Sequence, residues 1–185
     1  MSYTNKMSAL ETTRLVLTPI SHSHVTDKYV SWLNDVAVYK YLETRGNYTR
    51  EMLVSFVDEQ IKNDVFMWAI HLKNSNIHIG NIKIDPINLR HGFGEYGILM
   101  GDKNEWGKGY AKEASERVIH YFFNEHLFLR KINLGVIKDN VAAVNLYKKL
   151  GFIEEGVYKN HVKYDNTYHD VIRMAVFNTQ YKYDE

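Results

Sequence analysis

Trp106-Gly107-Lys108-Gly109-Tyr110-Ala111 stands between two periodic runs, and its reading decides the fold. Before it, Gly94 to Met100 alternates as a strand does, with Glu95, Gly97 and Leu99 on one face and Tyr96, Ile98 and Met100 on the other. After it, Ala111, Ala114, Val118 and Phe122 recur at helical spacing. Small residues at 107, 109 and 111 let the backbone turn tightly and leave N–H groups uncovered where the helix begins. Those amides and the positive end of the helix dipole point the same way, so phosphate or pyrophosphate is the expected guest. A plain glycine-rich connection is the blander account of the glycines alone. A dinucleotide fingerprint fails because its sixth position is Lys112, and no G-x-x-x-x-G-K-[ST] occurs.

Working outward, strands and helices alternate. Thr13 to Thr18 reads as a strand stopped by Pro19, and Ser23 opens a helix carrying Val25, Tyr29, Trp32 and Leu33. Thr49 caps a second helix with Leu53, Phe56, Val57, Gln60 and Ile61 on one face. Phe66 to Leu72 and Ile77 to Asp85 form a hairpin around Lys73–Asn76. Lys131 to Ile137 is a strand, Asn140 caps a short helix to Leu150, and Gly151 stops it. Two last strands, about Ile153 to Tyr164 and Tyr168 to Phe177, flank an Asp165-Asn166 turn. The pattern predicts a mixed α/β sheet in one domain spanning residues 1–185, with 1–10 as a ragged leader.

Composition removes several functions. The 185 residues contain no cysteine, which excludes disulfides, thiolate metal sites and a cysteine nucleophile. Charge is balanced, 23 basic against 22 acidic residues, arguing against a nucleic-acid or anionic-membrane binder. No stretch reads as a signal peptide or a membrane span, so the expected address is the cytoplasm. Nine histidines invite a metal reading, but His22-x-His24, His161 and His169 make no ligand set, and no metal is expected. Tyr158, Tyr164 and Tyr168 read as cross-strand packing before they read as stacking residues for a nucleotide.

Asn140-Val-Ala-Ala-Val-Asn-Leu-Tyr147-Lys-Lys-Leu-Gly151-Phe152, with the glycine loop before it, resembles the GNAT acetyltransferase superfamily. That family's loop reads (Gln/Arg)-x-x-Gly-x-(Gly/Ala), falling here on Trp106, Gly109 and Ala111, with Trp106 departing from the usual first residue. Glu11-Thr-Thr-Arg14-Leu15-Val-Leu17-Thr-Pro19 looks like the opening of the branch holding ribosomal-protein N-terminal, spermidine and amino-sugar acetyltransferases. The resemblance covers residues ~11–177 and implies a mostly antiparallel sheet of about seven strands, splayed at a central parallel pair and flanked by helices.

It also implies chemistry. Acetyl-CoA would be the cosubstrate, its pantetheine arm along Leu99 and Met100, its pyrophosphate on Gly107, Lys108, Gly109, Tyr110 and Ala111, with Asn140 touching the arm. Tyr147 would protonate the departing thiolate, a backbone N–H near Met100 would polarise the carbonyl, and Glu95 would act as base through water, with Asp85 in reserve. Without cysteine, direct transfer in a ternary complex is favoured over an acyl-enzyme. Tyr147 as plain packing, Glu95 as an exposed acid and Asn140 as a simple cap are the structural alternatives. Asp35, Tyr39, Glu43 and Arg45 lie in the region that would shape the acceptor pocket. A small-molecule amine is the expected acceptor, an amino sugar first, possibly nucleotide-linked, ahead of a polyamine or a protein N-terminus. A non-catalytic acyl-CoA-binding module is the alternative from another class. The C-terminal strands are edges able to pair in a homodimer.

Overall fold

In the computed structural model, residues 7–126, 129–164 and 166–182 are described. They hold eight strands: β1 (Leu10–Glu11), β2 (Leu15–Pro19), β3 (Phe66–Leu72), β4 (His78–Asn88), β5 (Phe93–Met100), β6 (Lys131–Ile137), β7 (Ile153–Tyr164) and β8 (Thr167–Phe177). The helices are α1 (Asp27–Asn34), α2 (Val36–Tyr39), α3 (Arg50–Lys62), α4 (Tyr110–His120) and α5 (Val141–Lys149). One strand more is present than the seven expected, because β1, only two residues long, pairs with β2. Ser8 and Leu10, expected within the leader, are instead engaged. Trp68 Nε1 donates to the Ser8 carbonyl at 2.9 Å, and Leu10 is buried. The middle of the Asp165-Asn166 turn, Asp165, lies outside the described residues, as do residues 1–6.

The chain divides into two compact units, residues 1–85 with 98–117, and residues 86–97 with 118–185. In the first, antiparallel strands run in the order β1-β2-β3-β4, with Leu17 opposite Ile70 and Trp68 opposite Ile82. The inward side chains of β2 and β3 bury Leu15, Leu17 and Ile70, while Trp32, Leu53 and Val57 bring the helices onto a second cluster with Met67 and Ala69. Each such side chain contributes about 1.5–3 kcal/mol by leaving water. Thr49 caps α3 as expected, its hydroxyl accepting from Met52 N–H at 3.2 Å, although Ile61 turns outward. α1 starts later than Ser23. Residues His22–His24 form a 3₁₀ turn and Thr26 is the cap, accepting from Tyr29 N–H at 3.2 Å. β4 outruns Asp85 and passes through Pro86. Its pairing with β3 ends at Ile84, so the missing proline N–H breaks no bond of that ladder.

In the second unit, β5 pairs with β6 in parallel, and β6-β8-β7 continue antiparallel. The β5–β6 ladder covers Phe93, Gly94 and Glu95, opposite Lys131, Ile132 and Asn133, and ends there. Ile132, Leu134, Phe152 and Met174 are buried with Phe122, which sits on a π turn (Tyr121–Glu125) that closes α4.

Three histidines of the first unit cluster: His71 and His78 stack at 5.1 Å, and His24 is tilted to His71 at 5.3 Å and edge-on to His78 at 5.5 Å. His78 Nε2 donates to Gly80 O and Asn81 Oδ1, and His71 Nδ1 donates to Asn76 O. That leaves Nδ1 of His78 and Nε2 of His71 as buried acceptors with no partner among the described residues. A proton added there would be buried without an acceptor. Burial, and then the neighbouring rings, hold His78 at about 4 and push His24 down as well, against a usual value of 6.5. The unfolded chain therefore binds these protons first. Stability is complete above pH 6.5 and falls as pH drops toward 4, His78 alone accounting for on the order of 3 kcal/mol. Urea denaturation at pH 7.5, 6.5, 5.5 and 5.0 is expected to show a falling midpoint below 6.5, before the carboxylates titrate.

Candidate functional site

The loop between β5 and α4 forms from local chemistry. Asp102 caps a 3₁₀ turn (Lys103–Glu105), accepting from Asn104 N–H at 3.1 Å, and is held from α1 by Lys28 Nζ at 2.7 Å. Trp106 follows, and its indole Nε1–H donates to the Met100 carbonyl at 2.8 Å, closing the loop on the strand it left. Gly107 and Gly109 then adopt φ of +75° and +84°, which side chains rarely tolerate, and no atom lies within 4 Å of where a Cβ at Gly107 would stand. The turn ends at Tyr110, the first residue of α4. The amides of 107–111 therefore start a helix with open space beside the loop. An anion carried on backbone N–H groups fits this cradle.

Along β5, Leu99 and Met100 differ in what they offer. The Leu99 carbonyl is turned to β4, so close that a methyl group at Gly80 would come within 2.3 Å of it. By alternation, Ile98 and Met100 direct their backbone groups to the opposite edge. Ile98, which the sequence reading passed over, thus shares that edge with Met100, and the Met100 carbonyl is already taken by Trp106.

In the second unit, Asn140 caps α5, its Oδ1 accepting from Ala143 N–H at 3.3 Å. Tyr147, one helix turn beyond Val144, is 8% exposed, with its ring edge-on to Tyr96 at 5.7 Å and tilted to Phe152 at 5.8 Å. Burial pushes its hydroxyl up to about 12, so it is protonated throughout the neutral range. Glu95 is not a lone exposed acid. Arg173 of β8 grips both its oxygens, Nη1 to Oε1 at 2.6 Å and Nη2 to Oε2 at 2.8 Å, and that pair raises the guanidinium's own basicity. Gly135 lies opposite Arg173 on β6, where a methyl group would come within 2.9 Å of Nη1. The sequence reading missed Arg173. Its signal is a cation inside the apolar run Val171-Ile172-Arg173-Met174-Ala175, where a charge must find a partner.

The expected acceptor residues are largely engaged. Asp35 caps α2, accepting from Ala37 N–H at 2.9 Å, and pairs with Lys103. Tyr39 packs over Gly46, with its ring 3.4 Å from where a Cβ would stand. Arg45 Nη1 reaches the Lys40 carbonyl at 3.5 Å, and Glu43 lies in the same segment before α3. Asp85 is half-buried beside Lys83, 3.4 Å away. Among the described residues, no cluster of histidines and carboxylates is placed to hold a metal ion, and no helix is long and apolar enough to cross a membrane.

In the first unit β5 leads into a glycine-turned loop suited to an anion, and in the second a capped helix carries a buried tyrosine. Residues 14–153 match the family described as Acetyltransferase (GNAT) domain, and the chain belongs to that family. It is an enzyme, an N-acetyltransferase of amines. An uncharacterised N-acetyltransferase p20 of Bacillus licheniformis is 27% identical over 179 residues, 95% of this chain and 99% of that protein. Spermidine N(1)-acetyltransferase of Vibrio cholerae is 35% identical over 103 residues, 56% of this chain and 58% of that protein. The crystal structure of the Vibrio cholerae spermidine N-acetyltransferase with CoA and spermine superposes with a TM-score of 0.82 at 25% identity, covering 91% of this chain and 98% of that one.

The cradle can be tested directly. Gly109→Glu forces a side chain onto φ of +84° and sets a negative charge where the anion would bind. Calorimetry is expected to show CoA affinity lowered by at least about 100-fold, as befits loss of charge-assisted bonds to a diphosphate, with the far-UV spectrum unchanged.

Proposed function

We propose that the chain transfers an acetyl group directly from acetyl-CoA to a primary amine held in the same ternary complex. The observation carrying this reading is the loop at 107–111, whose left-handed glycines set no side chain over its amides and which has open space beside Gly107. The CoA-bound relative supports the choice of cosubstrate. In this reading, the pyrophosphate rests on the amides of Gly107 to Ala111, and the pantetheine amides pair with the Ile98–Met100 edge of β5 as an added strand does. Asn140 contacts the arm while capping α5. A backbone N–H near Met100 polarises the thioester carbonyl.

Attack by the neutral amine forms the new C–N bond, and collapse of the tetrahedral intermediate breaks the C–S bond. The amine's proton passes through water to Glu95, whose carboxylate Arg173 orients. Tyr147 gives its proton to the leaving thiolate. A tyrosine kept neutral by burial suits that task, since it carries the proton across the whole working range. Tyr147→Phe removes one oxygen and keeps the packing against Tyr96 and Phe152. It is expected to lower kcat by about 10²–10⁴-fold with CoA affinity retained, read by thiol release and calorimetry.

For the acceptor, we propose an amino sugar, possibly nucleotide-linked. Asp35, a carboxylate that a polycation could use, is already paired with Lys103, and Glu43 shares its segment with Lys40 and Arg45. Tyr39, Arg45 and Glu43 supply stacking, phosphate and hydroxyl contacts suited to such a ligand. Spermidine is the second reading, favoured by the named relative. One acetylation screen with nucleotide-linked amino sugars, spermidine and short N-terminal peptides decides. Turnover of amino sugars is expected; turnover of spermidine or peptides without any amino sugar overturns the acceptor and leaves the acetyl transfer standing.

A further inference from the structure

Arg14 sits on the approach to β2, more than ninety residues before α4, yet it is the side chain most heavily tied to the loop. Its Nη1 donates to the Lys108 carbonyl at 3.0 Å, while Nε and Nη2 each meet Glu113 Oε2 at 2.6 Å. Its guanidinium lies 4.5 Å over the Tyr110 ring, and a Cβ at Gly109 would be 3.4 Å from Nη2. The same strand entrance adds two more bonds to Glu113 Oε1, from Arg14 N–H at 2.9 Å and Thr12 Oγ1 at 2.6 Å. An arginine side chain that is 46% exposed does not stay fixed without cause, because ordering it costs rotamer entropy.

We propose that Arg14 positions the loop for the cofactor's pyrophosphate, acting through the Lys108 carbonyl and the Glu113 carboxylate. The inference rests on the acetyl-CoA reading above and adds a residue that the reading does not use. Two physical effects carry it. A peptide plane holds its C=O and N–H in opposite directions. Fixing the Lys108 carbonyl on Arg14 therefore fixes the direction of the Gly109 N–H, one of the cradle's donors. Glu113 supplies the second effect. A full negative charge in the first turn of α4 opposes any anion bound there, and it exceeds the roughly half charge of the helix dipole. Arg14 neutralises it at contact distance. Burial pushes the Glu113 carboxyl up, but Thr12 and Arg14 outweigh burial and hold it below the ordinary range, so the acid stays charged and the pair stays closed. The Thr-Thr-Arg-Leu opening and the glycine loop thereby belong to one device.

The test measures CoA affinity by calorimetry in the wild-type chain and in Arg14→Gln, Arg14→Lys, Glu113→Gln and the double variant Arg14→Gln/Glu113→Gln. Thermal midpoints are taken alongside. Arg14→Gln, which leaves Glu113 uncompensated, is expected to weaken CoA about 10–100-fold, the range for loss of a charge-assisted bond set. Arg14→Lys, with the charge but not the fork, should fall between. Removing the opposing charge as well should recover part of that loss in the double variant, since electrostatic repulsion acts only while both partners are charged, and should leave the share that comes from freeing the Lys108 carbonyl. A merely structural arginine gives the opposite result, with the double variant binding no better than Arg14→Gln. That outcome, or wild-type affinity in Arg14→Gln and Arg14→Lys, overturns the inference. A wild-type chain that binds no CoA overturns the acetyl-CoA reading itself.

Discussion

A helix begins with N–H groups that no residue of the helix can satisfy, and at α4 this protein keeps them open where most helices cap them with a side chain. Gly109, in the position that caps elsewhere fill with Ser, Thr or Asp, has no side chain to offer, and Gly107 clears the space beside it. The surrounding contacts follow from that choice. An uncapped start loses the local bonds that would hold it, so the loop is secured from outside, by Trp106 on the Met100 carbonyl and by Arg14 on the Lys108 carbonyl. Trp106 replaces the residue usual at that place in the family loop, and its indole N–H shows what the place requires here: a donor long enough to reach back to the strand.

Much of this was legible in the sequence wherever one residue dictates one geometry. Lys131–Ile137 has the bounds its alternation suggests, and Asn140, Thr49 and Gly151 act as cap, cap and stop because each role needs a specific side chain or none. Reading failed where tertiary context chose between equals. Ser23 and Thr26 are both good caps, and the choice fell to Thr26 because His22–His24 wind into a 3₁₀ turn. Pro86 looks like a strand stop, yet β4 continues because the β3 ladder has already ended. Leu10 reads as part of a leader until the short pairing with β2 is seen.

The site residues divide along the same line. Motif positions fix local geometry: the glycines of 107–111 lead into α4, and Tyr147 lies buried on α5. Partnerships across strands are invisible to such reading. Glu95 looks solitary in sequence, but β8 brings Arg173 to it from seventy-eight residues away, and the room for that guanidinium is made on a third strand by Gly135. Likewise, Asp35 reads as a residue of the acceptor pocket and is engaged as a helix cap and by Lys103.

Those pairings bear on what the enzyme can ask of its charges. A carboxylate gripped at both oxygens by arginine is fixed in direction, and taking up a proton there weakens a charge-assisted pair. Such a group is better at orienting a water than at holding a proton for long, which suits a relay and not a reservoir. Tyr147 is the complement: burial stabilises its neutral form, so in the proposed role it would carry its proton throughout the neutral range. The base and the acid proposed here are thus set apart by environment and not by residue type, one carboxylate fixed in direction by its arginine partner and one hydroxyl kept neutral by its walls. The same logic governs His78, which burial keeps neutral and whose Nδ1 finds no partner among the described residues. At Glu95 and at Glu113 a charge meets an opposite charge built beside it, and in the proposed reading the loop before α4 is where the opposite charge would be left for the ligand to bring.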